Sequence, residues 1–562
     1  MTRTRIRNTA FITTLAALLA GTSLAPPALA EVSGIDIVSR AVIADGREFG
    51  ATGTYEQIDG RLHFLIDPAN PRNQVIVDMN VAPRNGAGLV EMTADVSILA
   101  PTDSSRGNGI ALVDIVNRGR KVALGFNHAG GDDPYGDGFL MREGYVIVWV
   151  GWEFDIAGND GAVALDVPRT TDLDTAPIGG LGFAAIRDAA SWIRYNPDAV
   201  VSSDYAITFG LSQSGRFLRN YLYLGFNTDE RERQVFDGMI PHIAGSSRID
   251  LNRRGSTPVS QGQYDATSFP FADDAYRDPF TGIEVGTIDN MRARVNAPKV
   301  FYTNSSVEYW GGGRVAALVH TTPDGAEDIT LPDNVRFYLF AGTQHGPATF
   351  PPAPASAGQQ MGNPTDYWWH LRALLGAMTG WIVDGVEPPA SRHPRFADQT
   401  LVVPQQVDFP DIPGVRSPSD LTAGVRAPNP LLDGAGRPGA ALPLLVPAID
   451  ADGNETSGIR HPEVQVPLAT YTGWNFRNPE LGDPGDLNPL AGAYIPFPAT
   501  AGERERSGDP RLSIEERYDS REDYLGQVEA AGRNLISGRY LLEADLPAVI
   551  ERAGAHWDLL MN

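Results

Sequence analysis

Apolar and polar positions change rhythm along this chain, and the change divides it. From residue 31 to about residue 109, short β-like runs (Ile35 to Val42, Arg61 to Ile66, Gln74 to Val81, Asp95 to Leu99) are separated by Gly, Pro and Asn turns. That pattern predicts an antiparallel, β-rich layer at the front of the molecule. Beyond it the runs become compact and almost wholly apolar: Ile110 to Val116, Tyr145 to Val150, Tyr205 to Phe209, Phe236 to Ile243, Lys299 to Thr303 and Val335 to Phe340. Runs of that kind read as strands covered on both faces. Several are separated by helical stretches, notably Leu181 to Tyr195, which carries Phe183, Ile186, Ala189, Trp192 and Ile193 at helical spacing. Strands and helices in alternation predict an α/β architecture, a mostly parallel central sheet with helices on both faces, over residues 110–395.

Two further segments stand out from this rhythm. Residues 246–297, after the strand ending near Ile243, are polar and studded with Tyr264, Phe269, Phe271, Tyr276 and Phe280. An insertion of that length at the carboxyl end of a strand is expected to cap a site. Residues 396–562 follow a helix-like run, Tyr367 to Val383, and read as an extension packed on the core. A last amphipathic helix is expected there, with Ser520 as N-cap, Asp523 at its third position, and Leu525, Val528, Leu535 and Ile536 on its buried face.

The first thirty residues follow a different logic. Arg3, Arg5 and Arg7, the apolar stretch Phe11 to Leu19 and Ala28-Leu29-Ala30 have the three-part form of a secretory signal peptide, cleaved before Glu31. The apolar run is too short to span a bilayer. An exported protein, periplasmic or extracellular, is therefore expected. The 562 residues carry a net charge of −24, which repels phosphate backbones and anionic lipid, so neither nucleic acid nor membrane is expected as a partner. There is no cysteine, which excludes disulfides, thiolate metal sites and cysteine nucleophiles. The stretch "DADGNE", Asp450 to Glu455, has part of a calcium loop's pattern but is incomplete, and reads as a tight polar turn. No metal or cofactor is expected.

Oxygen and nitrogen groups must then carry the chemistry, and one stretch offers them. In "TFGLSQSGRF", Thr208 to Phe217, two serines lie between Gly210 and Gly215, directly after an apolar strand. A strand feeding a sharp turn into a helix exposes the turn residue at the sheet's carboxyl edge, and flanking glycines let the strained backbone pack. In this register Ser212 is the nucleophile, with Ser214 in place of the usual second glycine. The alternative register, with Ser214 acting, would put Ser212 and Arg216 at the glycine positions, where a long arginine should clash.

A serine needs a base and an orienting acid, which on such a sheet come later in the chain, acid first and histidine second. Of nine histidines, His345 sits just past the last core strand, after Gly342-Thr343-Gln344. Glu308 is the only carboxylate near the end of the strand before it. Asp237 lies at the amino edge of its strand, and Asp324, Glu327 and Asp328 lie in the loop entering the final strand, all at the wrong end. His242, within an apolar strand, and His320, on an apolar helix, read as hydrogen-bonded core residues.

These segments resemble the α/β-hydrolase superfamily, and more narrowly a group of exported bacterial α/β-hydrolase domain-containing proteins. The resemblance is carried by "NRG" at Asn117 to Gly119, "GLSQSGR" at Gly210 to Arg216, "NSSVEYW" at Asn304 to Trp310, "AGTQHG" at Ala341 to Gly346, "TYTGWN" at Thr470 to Asn475 and "EERY" at Glu515 to Tyr518. A further likeness is to tannase and feruloyl esterases, whose cysteines this chain lacks. The resemblance implies a serine hydrolase fold and little about substrate; with Ser212, His345 and Glu308 as the triad, the expected reaction is cleavage of a small-molecule carboxylic ester through an acyl-enzyme. The expected oxyanion donors are the N–H of Gln213 and one from the loop after the third strand, Arg118 or Gly119. Tyr309 and Trp310, beside the acid, are candidates for holding an apolar ester, although core packing explains them and the cap aromatics equally well. A serine peptidase, an acyltransferase or a non-catalytic binding protein on the same fold are the alternatives.

Overall fold

The computed structural model of the chain describes residues 31–130, 133–156, 161–258, 266–311, 314–353, 357–421, 425–426 and 439–562. The expected signal, residues 1–30, lies outside the described residues. So does Tyr264 of the insertion.

One mixed sheet organises the chain. Its first strands, β1 (Glu31–Val42), β2 (Tyr55–Ile66) and β3 (Val90–Pro101), are antiparallel. They are joined by β4 (Ile110–Ile115), β5 (Val146–Val150), the short β6 (Leu165–Asp166), β7 (Tyr205–Leu211) and β8 (Gly238–His242). The spatial order is β1-β2-β3-β5-β4-β7-β8, with β6 beside β3. Two later strands extend it: β12 (Lys299–Ser305) next to β8, and β13 (Val335–Ala341) next to β12, with Ile459–Arg460 closing the edge. From β5 to that edge every pairing is parallel. The antiparallel front is thus continuous with the parallel sheet through β3 and β5.

Burial explains the strand composition. All residues of β4, β5 and β8 are buried, so predominantly apolar runs, broken only by the hydrogen-bonded Asp114 and His242, suit those positions. In β2 buried and half-exposed positions largely alternate, and in β1, the sheet's outer edge, most side chains face solvent. The helices that flank the sheet include α1 (Phe139–Arg142), α2 (Leu181–Tyr195), α3 (Gln213–Leu224), the single turn α4 (Val307–Trp310) and α5 (Trp368–Val383). Strand β4 has β5 on one side and β7 on the other, so the chain reverses direction across the sheet there. At such a switch point the loops leaving the carboxyl ends of neighbouring strands diverge, and the loops after β4 and β7 lie there side by side.

One expected strand is absent. Residues 74–81 form turns and a 3-10 turn, Met79–Val81, because side chains take over the backbone's hydrogen bonds. The Asn252 amide donates to the carbonyl of Val75 and accepts from the N–H of Val77, while Asn70 bonds the N–H of Arg72 and Asp78 sits at φ 66°. The expected terminal helix runs Arg521–Ser537 with Ser520 accepting from the Asp523 N–H, and a second helix, Leu546–Met561, follows it.

The insertion contains β9 (Ala266–Thr267) and the hairpin β10 (Tyr276–Arg277) with β11 (Glu284–Val285). Strand β9 pairs with Val425–Arg426 from the carboxyl-terminal extension. The buried Arg426 guanidinium grips Asp278 with two hydrogen bonds, 2.6 and 2.5 Å. Phe269 and Phe271 pack with Val315, Leu318 and Leu442 into a small core of their own. Insertion and extension therefore share one hydrophobic cluster.

Candidate active site

Ser212 stands between the last residue of β7 and the first of α3, at φ 60° and ψ −111°. Such backbone costs about 1–3 kcal/mol for a residue with a Cβ, and the surroundings must enforce it. Three hydrogen bonds and two glycines do so. The Ser212 N–H donates to the carbonyl of His242 at the end of β8 (2.9 Å), and the Asn117 amide donates to the carbonyl of Leu211 (2.7 Å). A Cβ on Gly210 would sit 2.6 Å from the carbonyl oxygen of Ser214, and one on Gly215 would sit 2.6 Å from that of His242, so the two glycines allow the turn to close. Ser214, at the position of the usual second glycine, is fully buried and donates to the carbonyl of Val116 (2.9 Å). Its hydroxyl serves as a tie to the loop after β4.

His345 and Glu308 arrive on the next two crossings of the sheet. Glu308 is on α4, immediately after β12, and is fully buried. His345 follows β13, where Gly342 turns the chain at φ 62°. The structure brings the three expected residues together. His345 Nε2 lies 2.8 Å from Ser212 Oγ, and His345 Nδ1 lies 2.7 Å from Glu308 Oε1. The Tyr367 hydroxyl donates to the His345 carbonyl (2.8 Å) and the His345 N–H donates to Leu490 (3.3 Å), which fix the loop from both sides. The other carboxylate oxygen, Oε2, accepts from the Ser305 N–H (3.0 Å) and hydroxyl (2.5 Å).

A fourth residue joins them. Buried Arg314 donates from Nη1 to Glu308 Oε1 (2.8 Å) and lies 2.7 Å from His345 Nδ1. With the imidazole proton on Nδ1 directed at Glu308, both cationic and imidazole N–H groups converge on one oxygen, and Nε2 is left as an acceptor for the serine proton. Burial and the Arg314 charge together lower His345 to about 4, against the pull of Glu308. Burial alone would raise the Glu308 carboxyl, but the hydrogen bond and charge of His345, the Arg314 charge and the Ser305 hydroxyl hold it below its ordinary value. At neutral pH the site therefore holds an ionised acid beside a neutral imidazole, the state a general base needs.

The oxyanion expectations divide. Gln213 is the first residue of α3, so its N–H has no acceptor within the helix. The Gly119 N–H is already taken, donating to Glu153 Oε2 (2.8 Å), and the Arg118 N–H turns to the same carboxylate. Glu153, fully buried after β5, is pushed up to about 8 by desolvation. Gly119 therefore offers no free backbone donor in this conformation. Tyr309 and Trp310 also need correction. Both are buried, Tyr309 bonding His320 (2.8 Å) and Trp310 packing edge-on to Trp474, so they belong to the core beneath the acid. Their positions on one turn with Glu308 bring them near it, but the helix directs them inward.

His242 and His320 are core residues, as expected; His242 bonds Thr303 and burial lowers it to about 3. Among the described residues, no group of three or more His, Asp or Glu side chains could hold a metal ion. In the "DADGNE" turn, Asp450 accepts from the N–H groups of Asp452 and Asn454, and Asp452 pairs with Arg517. Sequence reasoning passed over Arg314, whose one signal is its place directly after the glycine run that follows Trp310.

A family model described as an alpha/beta hydrolase domain matches residues 77–551. No curated protein matches the chain. Similar solved structures include an acetyl xylan esterase from Thermoanaerobacterium, 12% identical over 56% of this chain and 84% of that one, with a TM-score of 0.26. A rice cell wall degrading esterase from Xanthomonas oryzae is 12% identical over 54% of this chain and 91% of that one (TM-score 0.25). A glucuronoyl esterase from Solibacter usitatus is 13% identical over 57% and 82% (TM-score 0.26). Similarity at these values says nothing of substrate.

Proposed function

Because this chain belongs to the alpha/beta hydrolase domain family, we propose that it is a serine hydrolase of carboxylic esters in which Ser212, His345 and Glu308 perform the chemistry. The observation that carries the reading is the unbroken relay of hydrogen bonds from Ser212 Oγ through the imidazole to Glu308, at 2.8 and 2.7 Å. As Ser212 Oγ attacks the ester carbonyl, its proton passes to His345 Nε2 and a tetrahedral oxyanion forms. The Gln213 N–H stabilises that oxyanion. The ester C–O bond then breaks, and the alcohol leaves with the proton held on Nε2. Water gives a proton to Nε2 as it attacks the acyl-enzyme, and collapse restores the serine hydroxyl while releasing the acid. Glu308 stays ionised throughout, holding the tautomer and balancing the imidazolium.

The same reading makes the protein an exported one, supported by the form of residues 1–30. Among the described residues no helix is long and apolar enough to cross a membrane. A panel of p-nitrophenyl esters of rising acyl length, alongside feruloyl, gallate and peptide substrates, tests the reaction class. Saturable ester hydrolysis that a fluorophosphonate abolishes is expected. Cleavage of peptides with no ester turnover would assign the triad to a peptidase.

A further inference from the structure

Glu455 closes the "DADGNE" turn, far along the chain from the site, yet its carboxylate ends between the two loops that carry the acid and the base. It is 2% exposed. Oε2 accepts from the Ser306 hydroxyl (2.5 Å) and from the Gly342 N–H (2.9 Å). Ser306 is the residue before α4, two positions from Glu308, and Gly342 is three positions before His345. The same Ser306 hydroxyl accepts from the Thr343 N–H (3.3 Å), so one carboxylate and one hydroxyl join both loops.

The turn is built to deliver that side chain. Asp450 caps its backbone, and a bridge between Ile449 and Glu455 closes it. The Asn454 amide bonds both the Ala469 carbonyl (3.1 Å) and the Tyr471 N–H (2.8 Å), anchoring the turn to the buried "TYTGWN" segment. Glu455 thus hangs from a fixed frame that neither loop contributes to.

We propose that Glu455 is a positioning residue that sets the spacing of the Glu308 and His345 loops, and through it the hydrogen bonds on which the proposed hydrolase reaction depends. The inference rests on the triad reading. The parallel ladder between β12 and β13 ends at Ser305 and Phe340, so beyond it the two loops are joined to each other by these side-chain bridges, while Tyr367 and Leu490 hold the His345 loop from its other sides. Loss of the bridge frees His345 Nε2 to move relative to Ser212, and a displacement of about 1 Å costs on the order of a hundredfold in rate. Burial pushes the Glu455 carboxyl up to about 7, opposed by the Ser306 and Gly342 hydrogen bonds, Trp310 and the Arg460 charge. An amide of the same shape can keep its oxygen on the Ser306 hydroxyl and the Gly342 N–H, with its NH2 turned toward the Trp310 indole N–H.

The test compares wild type, Glu455→Ala, Glu455→Gln and Ser306→Ala, each checked for folding by circular dichroism, in steady-state ester hydrolysis and in the rate of fluorophosphonate labelling at Ser212. Glu455→Ala should lose about 10- to 100-fold in kcat and in labelling rate with KM changed less than about threefold. Glu455→Gln should lose clearly less of both than Glu455→Ala, since its oxygen can accept the same two bonds. Ser306→Ala should fall between. The acid limb of kcat/KM should also rise in Glu455→Ala, because a loosened imidazole escapes part of its burial and of the Arg314 charge; Glu308, Arg314, Arg216 and Ser212 are the groups that face it. If Glu455→Ala is unfolded, Ser306→Ala decides by the same readouts. A folded Glu455→Ala labelled at the wild-type rate would overturn the proposal while leaving the triad intact. A wild type that resists the label would overturn the triad reading and this one with it.

Discussion

Replacing Glu308 by glutamine probes the proposed site at its most constrained atom. Every neighbour of the carboxylate donates: His345 Nδ1 and Arg314 Nη1 to Oε1, the Ser305 N–H and hydroxyl to Oε2. A glutamine must put its NH2 on one of these sides. On the imidazole side it repels the Nδ1 proton and favours the tautomer with Nε2–H facing Ser212, which cannot accept the serine proton. On the Ser305 side it opposes a backbone N–H, and the remaining carbonyl no longer balances the imidazolium formed in the transition state. In both placements kcat should fall by up to about four orders of magnitude with a modest change in KM. Removing the negative charge beside buried Arg314 should cost about 3–5 kcal/mol of stability, so the variant is assayed well below its melting temperature. Stopped-flow and steady-state hydrolysis of an activated ester, with a thermal melt in parallel, separate the two effects. A folded Glu308→Gln within tenfold of wild-type kcat would refute the assignment of Glu308 and send the search to another acid.

Three further outcomes are expected. His345 is held neutral down to about pH 4, so kcat/KM should stay level through the neutral range and fall tenfold per pH unit below that limb; Arg314→Met removes a cation that disfavours the imidazolium and should move the limb up by about one pH unit, and an unmoved limb would show that Arg314 does not tune the base. Ser214→Gly should keep its turnover and lose about 1–2 kcal/mol in a denaturation melt, because it gives up the buried bond to Val116 and adds a helical glycine; a loss of turnover beyond tenfold would mean Ser214 takes part in the chemistry. Mass spectrometry of the exported protein should find Glu31 as its amino terminus, and a secreted form that keeps Met1 would refute the signal reading.

The residues proposed to react were legible because each lies in a short stretch that follows an apolar strand. Ser212 is marked by two glycines, Glu308 and His345 by their order and by the strand ends they follow, and the parallel sheet turns that order into proximity. What supports them was not legible, since it comes from contacts between segments far apart in the chain. Glu455 reaches Ser306 and Gly342 across more than a hundred residues, and in sequence its turn looks only like a broken calcium loop. Gly119 occupies the loop where an oxyanion donor belongs, but the fully buried Glu153 that takes its N–H comes from a different strand end. Tyr309 and Trp310 adjoin the acid in sequence, and only the direction of a single helical turn shows that they point into the core. Residues 74–81 have the apolar content of a strand, and the Asn252 amide that replaces its partner lies about 175 residues away.

The central claim is that Ser212, activated by His345, is the nucleophile. Treating the intact protein with a fluorophosphonate and mapping the adduct by tandem mass spectrometry tests it without relying on a mutant's fold. The account predicts a single phosphonylated residue, Ser212, and no labelling once His345 is changed to Ala; an adduct on Ser214, or one that forms as fast without the imidazole, would contradict it.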